Sequence, residues 1–424
     1  MTAERIAANR RPVGPVVRLA IAYRVPPVAM ARISLGFAVI AAVWLSLGSA
    51  RDDGVALAAA IAVFLAVDAG RVLGYGPAAP AVDWGLTACA LLAELFVYAG
   101  MAAGVGLRTV SSAPSGPVGQ ALRGTFVAGL GGVGSTGVWR LAVIAVMLAV
   151  LVPMVDICLH GPAAADSAAA AGARVFGPPG DLRLPVAVAV VLLAGVRAGF
   201  LAVLVLAVAA LGATVIEAIK PGWRPIEVRG YRGDGRISVW IGRFVDGRIP
   251  PWAPLVVGLL VTGSLTALGL RNLSGILVLT PVEAMLLASF GSWHPHGGRV
   301  DWLIPPLIQA AEYVFLAEAG FTAHLWPPMT FALVAAAGFR HLDLAYRARG
   351  GLASGIDRRG LGWEGRMIVV GIAAATGGLI VVYPALTLYL WWLNLRDWMV
   401  GWAGWAGGGG MVGGGSARHP AVER

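Results

Sequence analysis

Carboxylates are scarce in this chain, and several sit where a carboxylate is costly. Only 22 of its 424 residues are Asp or Glu, while 58% are hydrophobic, so an acid inside an apolar run is a candidate for function. Asp301 and Glu312 are eleven residues apart, close to three turns at 3.6 residues per turn, which predicts one shared helix face. Asp83 and Glu94 repeat that spacing. Just ahead of Asp301, the stretch from Gly291 to Gly298 carries His294 and His296, and Glu283 lies eight residues before Gly291. Imidazoles beside carboxylates suit a transition metal. Asp301, Glu283, His294 and His296 therefore form one candidate metal set, with Asp301 and Glu283 as its catalytic members. The competing readings are a polar turn for the histidines and structural ion pairs for the acids.

A second constellation is cationic. Arg340, His341, Asp343, Arg347, Arg349, Arg358, Arg359 and Arg366 make the densest charged segment of the chain. Planar guanidinium suits phosphate and pyrophosphate oxygens. Arg347, Arg349 and Arg366, with Glu312 and Asp343, form the candidate substrate-binding set; the plainer role for the arginines is anchorage at anionic headgroups.

The elements that must position these groups are membrane helices. The chain is 13% charged, against about 25% in soluble domains, which excludes a water-soluble fold. Its net charge of +10 comes from arginines, since Lys220 is the sole lysine, and they gather beside apolar spans. That placement fits the positive-inside rule and membrane lipids as partners, not nucleic acid. Ten apolar runs predict an all-α polytopic membrane protein with about 10–12 transmembrane helices of ~20 residues each. Two runs, Leu184–Ile219 and Met367–Trp392, are long enough to be either one tilted helix or a hairpin, turning near Gly195–Arg197 and Thr376–Gly378 respectively. Cys89 and Cys158 lie inside apolar runs and read as packing residues. The first 26 residues are basic and contain prolines, without the pattern of a cleavable signal. Arginine placement predicts a multi-pass plasma-membrane protein with a cytoplasmic N-terminus.

Internal repetition divides the chain. Arg24-Val25-Pro26-Pro27 returns as Arg248-Ile249-Pro250-Pro251, Val82-Asp83-Trp84 as Val300-Asp301-Trp302, and Glu94 as Glu312. Ala121-Leu122-Arg123 is matched by Ala345-Tyr346-Arg347, and Trp139 by Trp363. These anchors predict a cytoplasmic tail (1–12), a degenerate transmembrane unit one (13–219) and a basic cytoplasmic linker (220–236). A better-preserved unit two (237–401) and a Gly-rich disordered tail (402–424) follow. Residues 102–119, with Arg108, two prolines and three serines, make a poor span, so unit one is expected to have lost its fourth helix.

Unit two resembles the membrane domain of CDP-alcohol phosphatidyltransferases. Arg236-Ile237-Ser238, then Trp240 to Arg248 before Pro250-Pro251, is similar to that family's amphipathic juxtamembrane helix and first span. Gly297-x-x-x-Asp301 is similar to the second half of its signature. Tyr346-Arg347-Ala348-Arg349 followed by Glu364-Gly365-Arg366 is similar to its arginine-bearing loop. Val-Asp-Trp, Phe-Arg-His-x-Asp and Trp-Glu-Gly-Arg also resemble an actinobacterial branch of uncharacterised domains that accompanies such enzymes. The resemblance implies transfer of a phosphate-linked group from a CDP-alcohol to an acceptor hydroxyl with release of CMP, at a centre of four carboxylates of which three or four hold Mg2+ or Mn2+ and the last is the base. Here the first two positions fall near Thr280 and on Glu283, the third is Asp301 and the fourth is Pro305; in unit one Asp83 is followed by Thr87. Neither copy keeps the four-carboxylate centre.

Three readings follow. One is a catalytically silent relative in lipid or cell-envelope phospho-alcohol metabolism, with a protein partner in envelope lipid synthesis. The second is an active metal-dependent phosphotransferase with an altered site around Asp301, binding a CDP-alcohol or lipid phosphate. The third is a repeat-built transporter. Two fused units imply an internal pseudo-dimer, and the family resemblance a homodimer.

Overall fold

The computed structural model describes residues 15–47, 50–73, 79–108, 135–160, 182–219, 232–268, 279–294, 300–349, 357 and 359–406. All regular structure among them is helical. In chain order the helices are α1 (Pro15–Ala22), α2 (Pro27–Leu47), α3 (Ala50–Leu73), α4 (Ala79–Arg108), α5 (Ser135–His160), α6 (Arg183–Ala194) and α7 (Val196–Ile219). There follow α8 (Arg236–Phe244), α9 (Trp252–Leu268), α10 (Thr280–Leu286), α11 (Ile304–Thr322), α12 (Pro327–Arg349), α13 (Gly362–Thr376) and α14 (Leu379–Ala406). A 3-10 turn, Leu287–Gly291, continues α10, and another, Asp301–Leu303, leads into α11. Among the described residues six helices are long and apolar enough to cross a membrane: α2, α3, α4, α5, α7 and α14. The chain is thus a helical membrane protein.

Local sequence explains where helices stop and start. Arg24 and His324 both take φ of 53°, in the left-handed region. Just after them Val25 and Leu325 donate back to Ala20 O and Gly320 O, closing the preceding helix, and the Pro26-Pro27 and Pro327-Pro328 pairs then open the next one. Asp246, also at φ 53°, ends the turn after α8 ahead of Pro250-Pro251. Gly195 and Gly377 end α6 and α13 at φ 90° and 75°, where a Cβ would be strained.

Both long apolar runs are hairpins turning at these glycines. Gly199 of α7 folds back onto α6, where an added Cβ would lie 3.0 Å from Ala187 O. In the second pair, Tyr383 donates to Leu316 O, Tyr389 to Arg359 O and Arg340 to Asp397, so α14 runs back along α13 to the end where α13 began.

Two packing seams hold the bundle. Gly100 and Gly104 of α4 lie directly against the backbone of Ala42 and Leu45 in α2; a Cβ on Gly100 would come 2.7 Å from Ala42 Cα. That is the close approach small residues allow in membrane helices. The second seam joins the two halves of the chain. Gly338 of α12 faces Val150 of α5, with Trp139 edge-on to Phe331 (ring centroids 5.5 Å apart) and Arg140 over the Phe321 ring (5.1 Å).

Residues 102–108 continue α4, and the rest of the segment expected to be a poor span, residues 109–119, lies outside the described residues. Residues 1–12, 220–231 and 407–424 lie outside them as well.

Candidate functional site

The charged residues on α11, α12 and α13 converge at one buried centre, built around Arg366. This guanidinium donates from Nε to Glu312 Oε1 (2.6 Å) and from Nη2 to Glu312 Oε2 (3.1 Å), a bidentate fork. Nη1 reaches Asp357 Oδ2 (3.2 Å) and Gly360 O (2.7 Å), and Nη2 also reaches His341 Nε2 (2.6 Å). Arginine has five N–H donors, and here five acceptors surround it. Arg366, Glu312 and His341 are fully buried.

The tautomer of His341 follows from this geometry. A guanidinium only donates, so Nε2 accepts and Nδ1 carries the hydrogen, placed 2.6 Å from Tyr313 Oη. His341 is therefore neutral, and its approach to Glu312 (3.4 Å) is not an ion pair.

Asp357 carries the network outward. It bridges Arg366 and Arg340, whose Nη2 lies 3.0 Å from Oδ1, and it accepts the Gly360 N–H at 2.8 Å. Burial alone would push its carboxyl up, but Arg366 and Arg340 hold it below the ordinary carboxylate range. Arg340 also meets Asp397 at 2.6 Å. Arg347 donates to Asp343 Oδ1 (2.9 Å) and to Asp397 O (2.9 Å), while its guanidinium lies 5.5 Å from the Trp84 ring of the first half. Trp84, Ala88, Phe339, Leu342, Asp343 and Tyr346 line a small cavity of about 10 Å³ there, near the Tyr346–Thr87 hydroxyl contact at 3.4 Å.

A flank of this centre fixes the end of the linker. Asp234 accepts from Trp363 Nε1 (2.9 Å) and pairs with Arg232 (3.2 Å), which caps the 3-10 turn through Gly291 O and Ala288 O. Glu364 receives the Gly235 and Ser238 N–H groups at 3.0 and 3.1 Å, acting as the N-terminal cap of α8.

Of the predicted substrate-binding set, Glu312, Asp343, Arg347 and Arg366 meet in this network; the Arg349 side chain lies outside the described residues. The described members of the predicted metal set have separate partners or surroundings. Asp301 sits half-buried on the 3-10 turn and accepts from Trp252 Nε1 (2.9 Å). His294 Nδ1 engages Gly247 O at 2.7 Å, Glu283 is exposed on α10, and His296 lies outside the described residues. Among the described residues no three His, Cys, Asp or Glu come together as metal ligands. Sequence reasoning missed Tyr313, Asp357 and Asp397; the signal for the last two is the rarity of acids itself.

The first half holds a smaller counterpart. Glu94 of α4 receives Arg183 Nη2 at 3.3 Å and the Tyr98 hydroxyl at 3.3 Å, with all three side chains buried.

Residues 231–396 match a family of unknown function, DUF5941. The match runs from the segment before α8 into α14 and includes the Arg366 centre and its flank, but not Asp397, Trp84 or Thr87. No curated protein and no solved structure matches the chain.

Proposed function

We propose that this chain is a catalytically silent, tandem relative of the CDP-alcohol phosphatidyltransferase membrane fold. It serves lipid or cell-envelope phospho-alcohol metabolism from the plasma membrane, with its N-terminus cytoplasmic and a protein partner in envelope lipid synthesis. The observation that carries this reading is the saturation of Arg366. The side chain best placed to bind a phosphate spends its five donors on Glu312, Asp357, Gly360 and His341, so an incoming anion would have to displace buried carboxylates. Asp301, the surviving signature position, is engaged by an indole rather than grouped with other acids.

The tandem reading is supported by helix order. Among the described residues an interfacial helix precedes six further helices in each half: α1 before α2–α7, and α8 before α9–α14, with α10 and its 3-10 extension as one member. Each half buries one Glu–Arg pair, Glu94–Arg183 and Glu312–Arg366. In each, the arginine lies in the first five residues of the fifth described helix, twelve or eleven residues before the glycine that turns the chain, Gly195 or Gly377. On this alignment α5 takes the place of α12, so unit one keeps a fourth helix and Trp139 is not the counterpart of Trp363. The halves then form an internal pseudo-dimer across α5 and α12.

The test is release of CMP from CDP-diacylglycerol by the purified full chain with Mg2+ or Mn2+ and an acceptor alcohol such as glycerol 3-phosphate or inositol. We expect none, and no metal-dependent change in melting temperature for the native chain or Asp301→Asn. Metal-dependent CMP release abolished by Asp301→Asn would overturn the reading.

A further inference from the structure

Helix α8 is held to the bundle by one narrow face and leaves the rest uncovered. Ser238 and Gly242 are buried, with Ser238 Oγ 2.9 Å from Ser289 Oγ and the Ser292 hydroxyl donating to Ser238 O at 2.7 Å. Together with the Glu364 cap on the Gly235 and Ser238 N–H groups, these contacts fix the rotation of the helix about its axis. At 100° per residue, the opposite arc carries Ile237, Trp240 and Phe244, and beside them Arg236 and Arg243. Trp240 is 69% and Phe244 83% exposed. Arg243 is steadied from a second element, its guanidinium 4.9 Å from the ring of Trp293, itself 47% exposed.

A rigidly oriented apolar arc edged by guanidinium groups has one fitting surface: the boundary between acyl chains and headgroups. The arc contains two arginines and no carboxylate, and Asp246, just beyond it, lies 3.7 Å from Arg248, so the uncompensated charge is positive. The helix also leads through Pro250-Pro251 directly into the apolar α9, which puts it at the level of a membrane surface. We infer that α8 and Trp293 form a binding face for anionic lipid: Ile237, Trp240 and Phe244 enter the headgroup boundary while Arg236 and Arg243 hold lipid phosphates. This inference is independent of the proposed lack of activity.

The full chain with Phe244→Cys provides the test, because Cys89 and Cys158 are buried and only the new thiol takes an environment-sensitive fluorophore. The labelled protein is reconstituted in phosphatidylcholine vesicles with and without phosphatidylglycerol, with bromine on the acyl chains of one lipid at a time. Quenching is expected from both, stronger per molecule from brominated phosphatidylglycerol. That preference should weaken about fivefold for each of Arg236→Gln and Arg243→Gln, and should fall with added salt while quenching by phosphatidylcholine persists. Absence of quenching by either lipid, as when water or a protein partner covers α8, overturns the inference. Equal quenching by both lipids, unchanged in the two variants, overturns the headgroup role.

Discussion

Arg366 decides what the centre of this protein can do, because a buried guanidinium must find partners for every N–H or lose the energy of burying it. Glu312 and Asp357 supply three of those partners, and Gly360 O and His341 Nε2 the other two. Removing the cation should therefore cost more than the pair contributes, since two carboxylates remain in a dry site. Arg366→Met is expected to lower stability by about 3–5 kcal/mol. Arg366→Lys should recover little of the loss, because an ammonium has three donors and no planar fork. Thermal unfolding of the detergent-solubilised variants reads both, and Arg366→Met melting with the native chain would refute the account. Glu312, Asp343, Arg347 and Arg366 were legible as site residues because charge is rare in an apolar chain. Their mutual pairing was not, because sequence spacing contains no distance between helices. A face shared by Asp301 and Glu312 requires one continuous α-helix, whereas Asp301–Leu303 is a 3-10 turn with about three residues per turn. Asp301 meets Trp252 and Glu312 meets Arg366.

At the scale of elements, the helices were readable from apolar runs and their ends from Gly and Pro, but the fate of the two longest runs depended on a turn. Gly195 and Gly377 make both into hairpins, since each glycine accepts a positive φ at no steric cost and an apolar helix is available to receive the returning strand of chain. The α2–α4 seam went unread, although Gly100 and Gly104 stand four residues apart in Gly-Met-Ala-Ala-Gly, the spacing of a close helix contact. The seam makes a sharp demand. A Cβ on Gly100 meets the backbone of Ala42 rather than a movable side-chain tip, so Gly100→Val must push α2 and α4 apart. Overpacking of this kind costs about 1–3 kcal/mol. Gly36 and Gly212, with open space around a built Cβ, are the controls: valine there should leave the melting temperature close to the native value, and a Gly100→Val chain as stable as these controls would show that the seam yields.

For the molecule as a whole, the proposed pseudo-dimer makes the first half a fixed partner of the second. The seam is continuous from end to end: Trp139 and Arg140 meet Phe331 and Phe321 at one end, Val150 meets Gly338 midway, and Thr87 and Trp84 meet Tyr346 and Arg347 at the other. Faces used in this way within one chain are not free to join two chains. The purified full chain should accordingly be a monomer in detergent, measured by light scattering with the detergent contribution removed. The same seam offers a way to break the arrangement. A Cβ on Gly338 would already lie 2.8 Å from Val150 Cγ2, and valine cannot swing aside because its χ1 is restricted. Gly338→Leu should therefore wedge α12 away from α5, lower the melting temperature and expose apolar surface that lipid or a second chain must cover. The variant is expected to show dimers where the native chain shows none. A native chain that is itself a stable dimer, with Gly338→Leu unchanged in both mass and melting temperature, would mean that the α5–α12 seam is not what holds the two halves together.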